Sequence, residues 1–372
     1  MRIDVHCHIG QRFRPCQPNG RFCFEPADGY AGCDAYLSDR LYNNIGMTLV
    51  KWRLGLNQLA ADEADQRLEA WLLAHILGSR LLDRAVILAF DQVHTTSGQP
   101  LGTRHRGART GSDLYVSNTY AHHIWRSNPQ KLLFGASIHP YHRYGELTAI
   151  DMLDEVAAAG AVLIKWLPPT HNIDPADPRT IAFLSHAARI GIPLLIHMGA
   201  EAALRNAYPQ FGDPTCWLNT FRQLWRNNNM PTVIAAHVAT PLFWPITPGH
   251  TFHKLTQALT GEFAEVPLFA DISALGQVSK AHWLKKLLTM PLIQNKLVYG
   301  SDFPLPPMPV AFPFRLAGHY RQLHAFPSWI DRDIAIKASL GIDETVFLRS
   351  ASLLAHRLNY AHHLVQEGLT SS

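Results

Sequence analysis

The chain has 372 residues, of which 47% are hydrophobic and 17% charged, a balance that suits a globular protein with a sizeable core. Its net charge of +4 comes without a long basic run, so nothing marks a nucleic-acid surface. No apolar run approaches the roughly 20 residues that span a bilayer, which excludes a helical membrane protein.

The chain opens directly on Ile3-Asp4-Val5-His6-Cys7-His8-Ile9-Gly10, an apolar β-forming run that stops at a glycine. Side chains alternate along a strand, so His6 and His8 share one face and Cys7 takes the other. Two imidazoles on one face can chelate a borderline-soft divalent cation, or can be ordinary polar residues at a strand end. No basic segment and apolar h-region precede the run, so a cytosolic protein is expected. Cys16, Cys23 and Cys33 follow at spacings too wide for a structural zinc site, which fits loose thiols in a reducing compartment.

Residues 10–60 are rich in Gly, Pro, Asn and Tyr with little periodicity, and read as a first strand-to-helix connection enlarged into a lid or substrate wall. Residues 62–80 carry apolar positions at helical spacing behind acidic first-turn residues. Strands then alternate with helices. Strand-like runs lie at 84–90, 132–140, 161–169, 192–199, 232–239, 268–275 and 296–304. Helices are expected near 113–127, 147–159, from Asp177-Pro178 to Ile190, from Asp213-Pro214 to about 227, and near 250–264 and 279–290. After 305 the pattern is helical, clearest at 344–360. With the first strand these make eight apolar strands at βα-unit spacing, and no Gly-rich dinucleotide fingerprint appears. The expected fold is an α/β (β/α)8 TIM barrel, one domain over 1–372. Its strands fall at about 3–304, with a long first insertion and extra C-terminal helices over about 305–372.

Functional side chains of such a barrel sit at the C-terminal ends of its strands. Here those ends carry His6 and His8, Lys165, His197, His237 and Asp302, each after an apolar run and before a Gly- or Pro-containing loop. One strand-end histidine is more often structural. Several around one mouth point to a metal.

This pattern resembles the amidohydrolase superfamily: His-x-His on the first strand, a lysine or acidic group on the fourth, His on the fifth and sixth, Asp on the eighth. The matching residues are His6-Cys7-His8, Lys165 in LIKWLP, His197 in LLIHMG, His237 in IAAHVA and Asp302 in YGSDFP. The barrel starts at the N-terminus and ends in Gly-Ser-Asp-x-Pro, which looks like the amidohydrolase-related branch of decarboxylases and lactonases. Lys165 looks more like the binuclear branch that includes phosphotriesterases.

The resemblance implies divalent metal, with zinc the expected ion: two ions if Lys165 is carboxylated, otherwise one. His6, His8 and Asp302 would hold the buried ion and His197 and His237 the outer one. Asp302 would be the general base. An unmodified lysine would instead be cationic, and would bind a substrate carboxylate or pair with an acid.

The reading is a metal-dependent hydrolase that cleaves a C–N, C–O or lactone bond of a small organic substrate with a metal-activated hydroxide. The alternative is a mononuclear decarboxylase or hydratase of an aromatic or enoic acid. A Schiff-base lyase through Lys165 would leave four clustered histidines unexplained. His139 is a candidate substrate contact, and Asp271 a partner that orients a ligand histidine. Asp91 is comparable to Asp271. Trp166 is expected to pack. The stretch from His94 to His105 with Arg104, Arg106 and Arg109 could attract an anion. Neither nucleic acid nor membrane is an expected partner. Segment 303–329 is read either as a subunit contact of a homo-oligomer or as packing beneath the mouth.

Overall fold

The computed structural model describes residues 1–17, 20–104, 110–201, 203–241 and 246–370. Eight short strands form one parallel sheet in sequence order: β1 (Ile3–His8), β2 (Arg84–Leu88), β3 (Leu132–Ala136), β4 (Leu163–Trp166), β5 (Leu194–His197), β6 (Val233–Ala236), β7 (Leu268–Asp271) and β8 (Leu297–Val298). Their near-continuous Val/Ile/Leu/Ala content follows from burial on both faces, inward against each other and outward against helices. The sheet returns on itself: Val5 N donates to Tyr299 O at 3.3 Å, Asp302 N to His6 O at 2.8 Å and His8 N to Phe303 O at 2.8 Å. The architecture is an α/β TIM barrel.

Helices start where the side chains can hold exposed backbone donors. Asp177 and Asp213 each precede a proline and accept from Arg179 N and Thr215 N, opening Pro178–Arg189 and Pro214–Arg226. Thr148 and Asp151 form a reciprocal capping box at Ala149–Ala158. Trp166 packs outward as expected, fully buried beside Phe183 and Trp217, its indole N–H donating to Ile138 O at 2.7 Å.

Three stretches differ from the expectations. Residues 114–116 form a strand in an antiparallel sheet with 13–14 and 35–37, and the helix begins only at Asn118, behind the cap Ser117. The early connection also contains a helix, Ile45–Leu54. At the other end, the helical pattern at 344–360 breaks at Leu354 into Glu344–Leu353 and Ala355–Thr370.

The C-terminal helices brace β8. Tyr299 N donates to Val346 O at 3.0 Å, and buried Lys337 donates to Gly300 O at 3.1 Å from the helix Trp329–Ser339. In the segment 303–329, Phe312, Leu316 and Leu323 pack inward while Phe314 is exposed. Among the described residues no helix is long and apolar enough to cross a membrane.

Candidate metal centre

Strand register sets the heights of the side chains at the mouth. β5 and β6 pair from Leu194↔Val233 to His197↔Ala236, so His237, one residue further on, meets His197 with ring centroids 5.1 Å apart. Lys165 is opposite Leu195, two positions below His197, and therefore projects from deeper in the barrel. His6 and His8 rise from β1, their ring centroids 5.0 Å apart, and Asp302 arrives from the turn after β8. All six side chains line one cavity of about 450 Å³, and ligand atoms of His6, His237 and Asp302 lie within 4.8 Å of one another. His237 and Asp302 both adopt positive φ, 55° and 62°, which L-residues seldom do outside sites that need it.

Asp271, at the end of β7, organises the histidines. Its Oδ2 accepts from His6 Nδ1 at 2.8 Å, and its Oδ1 accepts from the backbone N–H groups of His237 (2.8 Å) and Ser273 (3.0 Å) and from the Ser273 hydroxyl. Ser273 Oγ, having donated its own proton, accepts from His237 Nδ1 at 2.8 Å. Both imidazoles are thereby held as the Nδ1–H tautomer with the Nε2 lone pair turned into the cavity. His6 Nε2 there meets Lys165 Nζ at 3.0 Å, and His8 Nε2 donates to Asp302 Oδ1 at 2.9 Å. His197 Nε2 is buried with no hydrogen-bond partner among the described residues.

The β1–β8 join is pinned by a second acid. Asp4 Oδ1 accepts from His6 N at 3.0 Å and Ser301 N at 2.9 Å, and Cys7 Sγ, on the face away from the cavity, lies 3.3 Å from Oδ2.

Burial dominates the electrostatics. It pushes His6, His197 and His237 well below the usual imidazole range, helped by Lys165 beside each and by Lys280 beside the last two, so these rings are neutral. It brings Lys165 down to about 8 against the pull of Asp271, Asp302 and Glu201. Burial alone would raise Asp302, but His6, His8 and Lys165 outweigh it and keep the carboxyl ionised well below its usual range. Neutral imidazoles with inward lone pairs beside a carboxylate make a donor set that fits a divalent cation of zinc's class. His6, His8, His197, His237 and Asp302 could hold it, and Lys165 could join only without its positive charge.

Two cavity-lining charges escaped the reading of the sequence. Glu201 lies four residues after His197, its carboxylate held by Ala203 N (2.6 Å) and Leu204 N (3.0 Å) and 3.6 Å from His197 Nε2. Lys280 reaches the same cavity and makes no side-chain hydrogen bond or ion pair to the described residues. A polar residue shortly after a ligand strand was the available signal for Glu201; Lys280 had none. Most of the remaining lining is apolar, with Leu37, Met47, Val50, Trp71, Leu204 and Leu305 among its walls, and Asn44, Gln277 and Ser279 add polar groups.

His139 is not a cavity residue. It is fully buried, its Nε2 donates to His171 O at 2.8 Å and its Nδ1 accepts from Tyr141 N at 3.2 Å, which commits both nitrogens to backbone. Asp91 is likewise away from the cavity, its oxygens accepting from Gln92 N and His139 N. Arg104 forms an ion pair with Asp113 at 3.2 Å, while His105, Arg106 and Arg109 lie outside the described residues.

The sequence matches no family model and no curated protein. Similar solved structures include 4-oxalomesaconate hydratase from Rhodopseudomonas palustris, 13% identical over 100% of both chains with a TM-score of 0.50. They also include a probable 2-pyrone-4,6-dicarboxylic acid hydrolase from Acinetobacter baumannii, 12% identical over 95% of this chain and 99% of that one (TM-score 0.49). A third is 5-carboxyvanillate decarboxylase from Sphingomonas paucimobilis, 13% identical over 95% and 98% (TM-score 0.46). The likeness to the hydratase is one of fold.

Proposed function

We propose that the chain is a metal-dependent hydrolase of the amidohydrolase type, one catalytic unit over 1–372, acting on a small organic substrate at the mouth of its barrel. The observation that carries this reading is the pair of tautomers held by Asp271 and Ser273, which aims the Nε2 lone pairs of His6 and His237 towards Asp302. When bound, a divalent cation, zinc being the expected one, polarises a carbonyl or ester oxygen and makes water acidic enough to act as a nucleophile near neutral pH. Asp302, ionised and close to His8 and His6, is the group to take the proton from that water and return it to the leaving nitrogen or oxygen. Lys165, brought down to about 8, has a share of neutral amine at ordinary pH, the form that takes up carbon dioxide. As a carbamate it would replace a cation with an anion, and two ions could share the site.

Lys280 and the apolar walls suggest the substrate. A largely apolar body fits the mostly apolar walls, and Lys280 can hold a carboxylate or other anionic head. The free Lys280 also favours a second reading, decarboxylation or hydration of an unsaturated or aromatic acid at a single ion, with Lys165 as an ammonium.

Anomalous diffraction at the metal edge and the intact mass separate the two. Two ions among the mouth residues and a carbon dioxide increment on Lys165 support the hydrolase; one ion there with Lys165 unmodified supports the second. For either to stand as metal catalysis with Asp302 as the base, Asp302→Asn should lose about 10²–10⁴-fold in kcat while metal remains bound. Full turnover in that variant overturns the assignment.

A further inference from the structure

The loops after β2 and β3 gather a second set of ligating side chains that the chemistry above does not use. Asp91, His94 and His142 are all buried, and each offers one ligand atom within 4.8 Å of the others. The Gln92 carbonyl accepts from His94 Nδ1 at 2.9 Å, which turns the His94 Nε2 lone pair towards His142 Nδ1, 2.7 Å away. At this distance His142 Nδ1 donates to that lone pair; a cation taking the place of the shared proton would part the two nitrogens to about 3.3 Å, a shift of a few tenths of an ångström. The Asp91 carboxylate is oriented by Gln92 N at 2.7 Å on one oxygen and His139 N at 2.6 Å on the other, leaving a lone pair on each for a further partner.

The surroundings point the same way. His142 Nε2, His171 Nδ1 and both side-chain polar atoms of Gln92 are buried with no hydrogen-bond partner among the described residues. Buried polar atoms left this way ask for an ion or ordered solvent to answer them. His171 belongs to the cluster through its carbonyl, which accepts from His139 Nε2. A cavity of about 10 Å³ borders Asp91 and His142, room for about one water.

We propose that Asp91, His94 and His142 form a second, structural metal site that takes one divalent d-block cation of zinc's class, with water as its fourth ligand. Two neutral imidazoles and one carboxylate suit such an ion better than calcium or magnesium, which prefer all-oxygen shells. The ion would tie the loop after β2 to the loop after β3. It would also steady Phe90, the residue before Asp91, whose ring centroid lies 5.1 Å from that of His8 and 6.0 Å from Lys165 Nζ. The site stands independently of what the mouth of the barrel does.

The test uses the full chain, stripped with a chelator, reloaded with Co2+ alone and crystallised, with anomalous diffraction collected at the cobalt edge. The expected result is a peak bounded by Asp91, His94 and His142, at about 2.0–2.2 Å from each ligand atom. Elemental analysis should find one equivalent less metal in a His94→Ala/His142→Ala variant than in the wild type. No peak at this position in wild-type crystals overturns the inference whether or not the mouth is filled, and does so even if the variant fails to fold. A peak here with an empty mouth upholds it and counts against the catalytic reading instead.

Discussion

Replacing Asp271 with Asn changes one oxygen into an amide, and the structure dictates which. The Oδ1 position accepts from His237 N, Ser273 N and the Ser273 hydroxyl, so an amide there would face three donors. The amide must therefore take the Oδ2 position, where it meets His6 Nδ1. Two donors cannot share that contact, so His6 moves its proton to Nε2, the atom aimed at the cavity. To bind metal it must reverse that shift and leave two buried N–H groups opposed. Losing an orienting partner of a ligand histidine costs about 10–100-fold in metal affinity, or about 1.4–2.7 kcal/mol. Competition for Zn2+ against a chromophoric chelator measures this directly. Asp271→Asn should weaken binding by that factor while the metal-free protein keeps its far-UV circular dichroism. Unchanged affinity in a folded variant would refute the tautomer argument.

Three further outcomes are expected. Lys280→Met should weaken binding of an aryl monocarboxylate such as phenylpropanoate about tenfold or more, the worth of one charge-assisted hydrogen bond, with metal content unaltered; equal affinities by calorimetry would remove Lys280 from the binding role. Gly300→Ala puts a Cβ 3.0 Å from His6 Cβ, 3.2 Å from Ser273 Cβ and 3.3 Å from Asp271 Cγ, so it should cost about 1–3 kcal/mol of stability and weaken metal binding too. An unshifted urea midpoint would show that the β8 turn yields freely. Glu25 is pushed up to about 7 by burial, against hydrogen bonds from Thr119 and Asn118. Its protonated form is thus favoured in the folded state, a contribution present below about 4.3 and lost as pH rises through about 7. Glu25→Gln should flatten the fall in urea midpoint between about pH 4 and about pH 7, and an unaltered slope would contradict this.

The barrel and the six mouth residues were readable because the strands are apolar runs, and these polar side chains lie in or shortly after five of them, where alternation or position marks the mouth. His6, Lys165 and His237 are of this kind. Glu201 and Lys280 enter the cavity by loop paths that no periodicity encodes. Asp4 carried no signal in the sequence, because its partner Ser301 comes from the far end of the chain. Leu114-Tyr115-Val116 was absorbed into the helix that follows, since three residues are too few to show a period of two. The helix Ile45–Leu54 was missed for the opposite reason: Ile45, Leu49 and Trp52 face solvent while Met47 and Val50 face the cavity, so no single apolar stripe stands out. His139 satisfied the strand-end rule yet turns to backbone partners, which only the loop after β4 could reveal.

The join between the first and last strands has a consequence for assembly. β8 contributes only Leu297 and Val298 to the regular ladder, and the return to β1 rests on a few backbone bonds and on Asp4. Across the same join His8 meets Asp302, 294 residues away. An ion held by both sides would therefore be a clasp, and its binding energy would also be energy of ring closure. The mouth cannot be complete until synthesis has passed Asp302 and the last strand has docked. Removal of the ion should be felt first at this seam, as faster amide exchange in β1 and the turn after β8, before the opposite wall loosens.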